Sequence, residues 1–344
     1  MQRLRRRASH SDAPVRAETS PARLSQAQSR SLYAMRGLAA LIVVIAHVTD
    51  WPTRGLFFSM PLFFFLAGYL YSQPRDYGTY LVSLARKLLL PYAIFLTAIS
   101  LPATLETFAS EGIGAGMARL GWLAMGGEQI KGVYAAFWYP TCFFFAHAGY
   151  SLARRYLGAG AMHLLSALLL TLATLNGLMA DVWLPLATNV AAMAFPIIHL
   201  GYVYRHRGLS GQADRVFHLL IGSFGLLYGA AAAFYLVPGL GMKIADYGWP
   251  LVTPAAGVAM VILVKQLFDR LQASWLVNAT LGQIGPASLI IMFLHQPVQM
   301  WLVSVLDIHH ELFRIAMGCA IPFVFFECAR RTAIGRWWLL GKPR

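Results

Sequence analysis

The chain contains 344 residues, of which 58% are hydrophobic and 12% are charged, and its formal net charge is +14. So few charged residues exclude an ordinary soluble fold, in which roughly a quarter of the residues are charged. The positive charge would suit nucleic acid, but it is divided among many short connections between apolar segments, so we expect no nucleic-acid partner. The composition therefore predicts an all-α integral membrane protein.

Apolar segments long enough to cross about 30 Å of hydrocarbon follow one another along the chain, and they predict a bundle of about ten transmembrane helices. The predicted spans lie near residues 32–50, 55–73, 84–104, 135–153, 157–178, 182–204, 216–237, 249–268, 284–306 and 312–329. Arginine and lysine occur mainly in every second connection, whereas the other connections hold most of the acids. This alternation follows the positive-inside rule, so it predicts an even number of spans with both termini in the cytoplasm.

The two ends of the chain differ in composition from its apolar part. Residues 1–30 are polar and rich in arginine, serine and alanine, which predicts a disordered basic cytoplasmic tail. An organelle transit peptide has a similar composition and is an alternative for this segment. Residues 31–331 form the predicted transmembrane domain, and residues 332–344 form a short basic cytoplasmic tail.

The first apolar segment, residues 31–50, contains Arg36 and His47, although a simple membrane span carries no ionisable side chain. Such a group at bilayer depth costs roughly 2.5 to 3.5 kcal/mol, so it is usually kept for a role inside a bundle or cavity. At ~100° and ~1.5 Å per residue, their spacing places both groups on nearly the same helix face, ~16 Å apart along the axis. One face is therefore predicted to carry a fixed cation near one membrane surface and a titratable base near the other.

Five segments carry a pattern that can be compared with known families. They are residues 35–47 (MRGLAALIVVIAH), 60–71 (MPLFFFLAGYLY), 86–92 (RKLLLPY), 137–145 (FWYPTCFFF) and 281–297 (LGQIGPASLIIMFLHQP). In this order they resemble the acyltransferase 3 family, integral membrane enzymes that O-acylate sugars of lipopolysaccharides, exopolysaccharides and related glycans. The resemblance spans about residues 31–330. Ala67, where the family commonly has serine, and residues 290–292, which replace a usual tyrosine-containing run, resemble the branch that contains fucose acetylases.

The resemblance implies an O-acetyltransferase of the plasma (inner) membrane. No metal is expected, because the cysteines lack a ligand spacing and the adjacent His309 and His310 would point ~100° apart on a helix. The donor of the enzyme would be cytoplasmic acetyl-CoA, and its acceptor a hydroxyl of a cell-surface or exported glycan or glycolipid. Arg36 and His47 are the expected catalytic residues. His47 could take the proton of a sugar hydroxyl or carry the acyl group, because imidazole, with a pKa near ~6.5, is largely neutral at physiological pH. The alternative is a histidine at a helix end that is hydrogen-bonded to a carbonyl.

Three basic residues are expected on the donor side. Arg36 would pair with a phosphate or with a group near the thioester of acetyl-CoA. Arg86 and Lys87 would clamp the phosphates of the same donor, because charge-assisted contacts are the stronger kind. For Arg86 and Lys87, contact with lipid head groups is the alternative.

Three residues are expected on the acceptor side. His295 falls at mid-depth of its span, preceded by Ser288, so it should face other helices. It could position the acceptor or orient His47, and a simple interhelical hydrogen bond is the alternative. Trp138, at the outer end of its span, could stack on a sugar, although aromatic rings at this depth commonly anchor a helix at the interface.

Two other functional classes remain open from the sequence. A multi-pass transporter or flippase for a sugar, lipid or organic anion also carries intramembrane arginine and histidine along its pathway. An inverted repeat would favour that class, and the sequence shows none. A non-catalytic subunit of a glycan assembly complex would tolerate substitution of both Arg36 and His47. In every case membrane lipids are expected partners.

Overall fold

The computed structural model describes residues 25–49, 53–180, 182–207, 210–272 and 274–341. Across these residues the secondary structure is helical, with twelve α-helices and no β-strand, so the all-α prediction is confirmed. The helices are α1 Gln26–Ala46, α2 Ser59–Tyr69, α3 Tyr77–Glu111, α4 Ile113–Met125, α5 Trp138–Tyr156, α6 Ala159–Leu175, α7 Thr188–His206, α8 Gly211–Ala233, α9 Val252–Leu271, α10 Trp275–Ala279, α11 Leu281–Ser304 and α12 Glu311–Arg331.

Eight helical segments of the described chain are long and apolar enough to cross a membrane, which confirms a multi-pass membrane protein. Each of the ten predicted spans coincides with a helix, but α2 has only 11 residues and α5 is less apolar than the rest. Eight of the 11 residues of α2 are buried, because this helix lies inside the bundle. The number of ten spans and the cytoplasmic position of the termini stay predictions.

The boundaries differ from the predicted ones at three places. α1 begins at Gln26, because Ser25 and Gln28 form a reciprocal capping box, so residues 26–30 are helical. The rest of the predicted N-terminal tail, residues 1–24, lies outside the described residues. Residues 113–125 form α4, which folds back on α3 after the left-handed Gly112. At the other terminus, residues 335–339 form a helical turn that packs near the start of α3.

Two glycines bring α1 and α11 into direct backbone contact. A methyl group on Gly37 would overlap the carbonyl oxygen of Leu281, and one on Gly285 would overlap the carbonyl oxygen of Tyr33. Small residues at both positions let the two backbones approach each other closely, as is common between membrane helices. The polar side chains of α1 are therefore held directly against α11.

We expect Gly285→Ala to destabilise the protein by about 1–3 kcal/mol or more, because the added methyl group forces the two backbones apart. The matched control is Gly282→Ala on the same helix, where the nearest atom, the carbonyl oxygen of Val277, would lie 3.6 Å from the new carbon. Thermal unfolding of both variants in detergent, followed by size-exclusion chromatography, measures the difference. Equal melting temperatures for the two variants would contradict the close contact.

Several basic residues meet at one end of the bundle. Lys265 forms an ion pair of 2.6 Å with Asp269, which also accepts a hydrogen bond of 2.9 Å from Ser31 near the start of α1. Arg205, at the end of α7, donates to the carbonyl oxygen of Tyr69 at 2.8 Å. We call this side the basic end. α1 therefore starts at the basic end and carries its last residues to the opposite end, which we call the histidine end.

Candidate active site

Two histidines meet where α1 ends. His47 is the C-cap residue of α1, and its Nδ1 lies 2.8 Å from the carbonyl oxygen of Val43. His295, in the middle of α11, is fully buried and places its Nδ1 2.7 Å from the carbonyl oxygen of Ile291. Nε2 of His295 lies 3.4 Å from Nδ1 of His47, and the two ring centroids are 4.9 Å apart in an edge arrangement. The side chains thus form one histidine pair.

These contacts assign the proton of each ring. A carbonyl oxygen only accepts hydrogen bonds, so Nδ1 carries the hydrogen in both His47 and His295. Nε2 of the neutral His295 then has a free lone pair, which faces the Nδ1–H of His47. Nε2 of His47 is consequently the unprotonated nitrogen, and it is the atom that can accept a proton or attack an acyl carbon.

A glutamine one turn beyond His295 further ties the two helices together. Gln299 is buried and donates from Nε2 to the carbonyl oxygen of Val44 at 3.3 Å. Val44 lies in the last turn of α1, and its carbonyl oxygen also accepts the backbone N–H of His47 at 3.3 Å. The α11 helix therefore caps the end of α1 and holds His47 in position.

The surroundings of His47 lower its pKa below the ordinary value. Desolvation by the protein is the largest cause, the hydrogen bond with Val43 opposes it, and the cation of Lys243 lowers the pKa further. Lys243 lies in the 3-10 turn Met242–Ile244 of the loop between α8 and α9, and its Nζ donates to the carbonyl oxygen of Ile130 at 2.8 Å. A lowered pKa favours the neutral imidazole, which is the form that acts as a base.

We expect Lys243→Gln to shift the acidic limb of the pH–rate profile to higher pH. The substitution removes a like charge near His47, so the imidazolium becomes less unfavourable and the pKa of His47 rises. More of the base is then protonated at any given acidic pH. The control is Lys131→Gln, which removes an exposed cation paired with Glu128 at 3.5 Å. Initial rates measured across pH test this, and a shift in the opposite direction would exclude the electrostatic coupling.

A polar cavity of about 580 Å³ opens beside the histidine pair. Ala46, the residue before His47, lines it together with Ser59 of α2. The 3-10 turn Thr53–Leu56 contributes Arg54, and the loop between α8 and α9 contributes Asp246. We call this space the outer cavity. Neither histidine lines this space directly, and Ala46 is the lining residue adjacent to His47 in the sequence.

Arg36 lies on the same helix, α1, nearer to the basic end. It is half-buried, and its guanidinium donates to Oγ of Ser288 at 3.0 Å. Both residues line a cavity of about 240 Å³, together with Lys87 and Tyr139. We call this space the inner cavity. Two cations in a mainly apolar pocket provide a place for an anionic or strongly polar group.

The structure brings together most, but not all, of the residues predicted from the sequence. His47 contacts His295, and Arg36 contacts Ser288 and lines the inner cavity with Lys87. Ser288, expected on the acceptor side with His295, lies instead beside Arg36, because seven residues separate it from His295, about 10 Å along α11. Two predicted residues, Arg86 and Trp138, lie apart from these groups.

Arg86, predicted with Lys87, points to a different place: its guanidinium lies 5.6 Å from the ring centroid of Trp337 in the C-terminal turn. Trp138 is 5% exposed and packs against Tyr139, and it lines neither the inner nor the outer cavity. Sugar stacking on Trp138 is therefore without support in this conformation.

Sequence reasoning missed four residues of these sites. Tyr139 belongs to the aromatic segment 137–145, but the sequence offered no reason to prefer it to Trp138. Arg54, Lys243 and Asp246 lie in connections without a recognised motif. A charged residue in an otherwise short, apolar outer connection was the available signal.

Residues 30–328 match the sequence profile of the family Acyl_transf_3, described as an acyltransferase domain. No curated protein and no solved structure matches the chain. The matched range includes both cavities and the histidine pair. The chain therefore belongs to the acyltransferase 3 family and is a multi-pass membrane acyltransferase.

Proposed function

We propose that this protein is an O-acetyltransferase of the plasma membrane. It moves an acetyl group from cytoplasmic acetyl-CoA to a hydroxyl of a glycan or glycolipid on the outer side. The observation that supports this most directly is the arrangement on α1, where Arg36 and His47 both contact α11. Arg36 lines the inner cavity, and Ala46, the residue before His47, lines the outer one. With the basic end in the cytoplasm, the inner cavity faces the donor and the outer cavity faces the acceptor.

The donor side is explained by charge. Acetyl-CoA joins a polyanionic nucleotide to a thioester through a long flexible arm. Lys87, exposed at the basic end, suits the phosphates, whereas the half-buried Arg36 suits the polar groups near the thioester. Ser288 holds the guanidinium of Arg36 in a fixed direction.

The two cavities are close but separate in this conformation. They share no lining residue, yet Met60 lines the outer cavity and Phe63, three residues later on α2, lines the inner one. Three residues correspond to about 4.5 Å along a helix. A movement of these two side chains would join the cavities and let the thioester reach His47.

The chemistry at His47 has two balanced forms. In direct transfer, the acceptor oxygen attacks the thioester carbonyl, its proton passes to Nε2 of His47, and the sulfur of coenzyme A leaves and receives a proton. In the covalent form, Nε2 attacks the thioester carbonyl and coenzyme A leaves as its thiolate. The acceptor hydroxyl then attacks the acetyl group, the bond to Nε2 breaks, and the hydroxyl proton passes to the thiolate, which is released as the thiol. In both forms, Nε2 of His295 accepts a hydrogen bond from Nδ1–H of His47. This hydrogen bond stabilises the positive charge that develops on the His47 ring.

The test is mass spectrometry of surface glycans from cells with and without the protein, grown with isotope-labelled acetate. We expect labelled acetyl esters on a glycan only in cells that contain the protein. The same cells are assayed for export of the unmodified glycan. Unchanged ester content together with reduced glycan export would reject the enzyme and favour the transporter class.

A further inference from the structure

An apolar groove borders the outer cavity. Its volume is about 390 Å³, and its lining is entirely apolar, from the turn before α2 and from facing parts of α8 and α9. Leu56 lines both the groove and the outer cavity. Gly55 packs so closely on Gly229 of α8 that a methyl group on it would lie 2.6 Å from the Gly229 carbonyl oxygen. This contact fixes the turn between the two spaces.

A cation lies at the junction. Arg54 lines the outer cavity, and the next residue, Gly55, lines the apolar groove. The guanidinium of Arg54 lies 4.5 Å from the ring centroid of Tyr235. Among the described residues it forms no ion pair with a carboxylate, although Asp246 lines the same cavity. A guanidinium held by an aromatic ring keeps its donors available for an anion.

The wall of the outer cavity has the features of a binding loop. The segment between α8 and α9 contains Tyr235, Ala245 and Leu251, all in the left-handed region with φ of 60°, 50° and 64°. Such conformations are costly for residues other than glycine, and they concentrate at ligand clamps. The same loop offers the exposed carboxylate of Asp246, a group that accepts hydrogen bonds from hydroxyls.

We propose that the acceptor is a glycolipid in which an apolar chain is joined to the sugar through a phosphate group. The apolar chain lies in the groove between α8 and α9, the phosphate binds Arg54, and the sugar occupies the outer cavity beside His47. The assignment of the sugar to the reaction at His47 rests on the proposed function. The ligand itself is inferred from the apolar groove, Arg54 and the polar outer cavity, which follow one another without a gap.

Binding of defined probes to the purified full chain, measured by native mass spectrometry without any donor, tests this. Farnesyl-phosphoryl-glucose contains all three parts, farnesyl glucoside lacks the phosphate, and glucose 1-phosphate lacks the chain. Phosphatidylglycerol represents an ordinary anionic membrane lipid. We expect farnesyl-phosphoryl-glucose to bind at least about tenfold more tightly than each of the other three, because each of those lacks the phosphate, the chain or the sugar.

Two variants separate the contributions. Arg54→Gln should weaken the binding of farnesyl-phosphoryl-glucose about tenfold and leave the binding of farnesyl glucoside unchanged. Ala230→Trp fills the groove from its exposed side. It should therefore weaken the binding of both farnesyl probes and leave the binding of glucose 1-phosphate unchanged. The matched controls are Arg314→Gln on α12 and Leu227→Trp on α8, which line neither space; Leu227 is 69% exposed. Both controls should bind every probe as the native protein does.

The outcomes distinguish this proposal from the proposed function. Equal binding of phosphatidylglycerol, or unchanged binding in both variants, would show a common lipid contact and overturn the proposal. If the protein acetylates a soluble glycan and shows no binding preference for the complete probe, this proposal is overturned. The proposed acetyl transfer would then still stand. Selective binding of the complete probe, with no transfer from acetyl-CoA to any acceptor, would support the ligand and reject the reaction.

Discussion

Replacing His47 by alanine is expected to reduce acetyl transfer by about 10²- to 10⁴-fold, the usual contribution of a general acid–base group. Nε2 of this residue is the free basic nitrogen of the histidine pair, and the preceding residue, Ala46, lines the outer cavity. The measurement is the initial rate of acetyl transfer from acetyl-CoA by the purified variant. A covalent acetyl-imidazole, if it forms, should be lost in the same variant.

The control for this experiment is His309→Ala. His309 is exposed and lies 3.0 Å from Asp307 in the connection between α11 and α12, outside the outer cavity. This variant should keep its rate. Because His47 helps to hold the end of α1, both variants are first compared by thermal unfolding. A correctly folded His47→Ala protein with a normal rate would exclude His47 as the base and as the acyl carrier.

Replacing Arg36 by glutamine is expected to raise the KM for acetyl-CoA about 10- to 100-fold. Glutamine stays polar but is two bonds shorter, so the variant removes the positive charge of the inner cavity together with the contact to Ser288. Hydrogen bonds to a charged group contribute about 1.5–3 kcal/mol, and 1.4 kcal/mol corresponds to a tenfold change. The measurement is the rate at varied acetyl-CoA concentration, with equilibrium binding of coenzyme A as an independent readout.

The matched control is Arg75→Gln, which removes an exposed cation near the basic end but outside the inner cavity. It should leave the KM unchanged. Ser288→Ala should produce a smaller increase than Arg36→Gln, because it removes a positioning contact and keeps the charge. If coenzyme A binds equally to the native protein and to Arg36→Gln, the inner cavity is not the donor site.

Much of the fold follows from local properties of the chain. Long apolar segments become helices because a backbone in hydrocarbon must satisfy its own hydrogen bonds. The same reasoning applied to α2 and α4 was less accurate. α2 is short because it is buried among other helices, and α4 occupies a segment that the sequence suggested was a connection. Burial by neighbouring helices is a property of the bundle and leaves little trace in one segment.

The placement of the site residues shows the same division. The spacing of Arg36 and His47 predicted a shared face, because helical periodicity alone determines it. Lys87 and Arg86 are neighbours in the sequence, yet Lys87 lines the inner cavity and Arg86 contacts Trp337. Adjacent positions on a helix point about 100° apart, so only the packing around α3 decides which of them reaches a site.

The amino-acid sequence by itself determined the membrane class, the helical character, the family pattern and the polar face of α1, since each depends on composition or short-range periodicity. The tertiary structure decided that His47 meets His295, a residue 248 positions away, and that Arg36 meets Ser288, 252 positions away. It also decided the existence of both cavities and of the junction at Arg54. These features are contacts between distant segments, and they exist only once glycine contacts such as those of Gly37 and Gly285 have fixed how the helices pack.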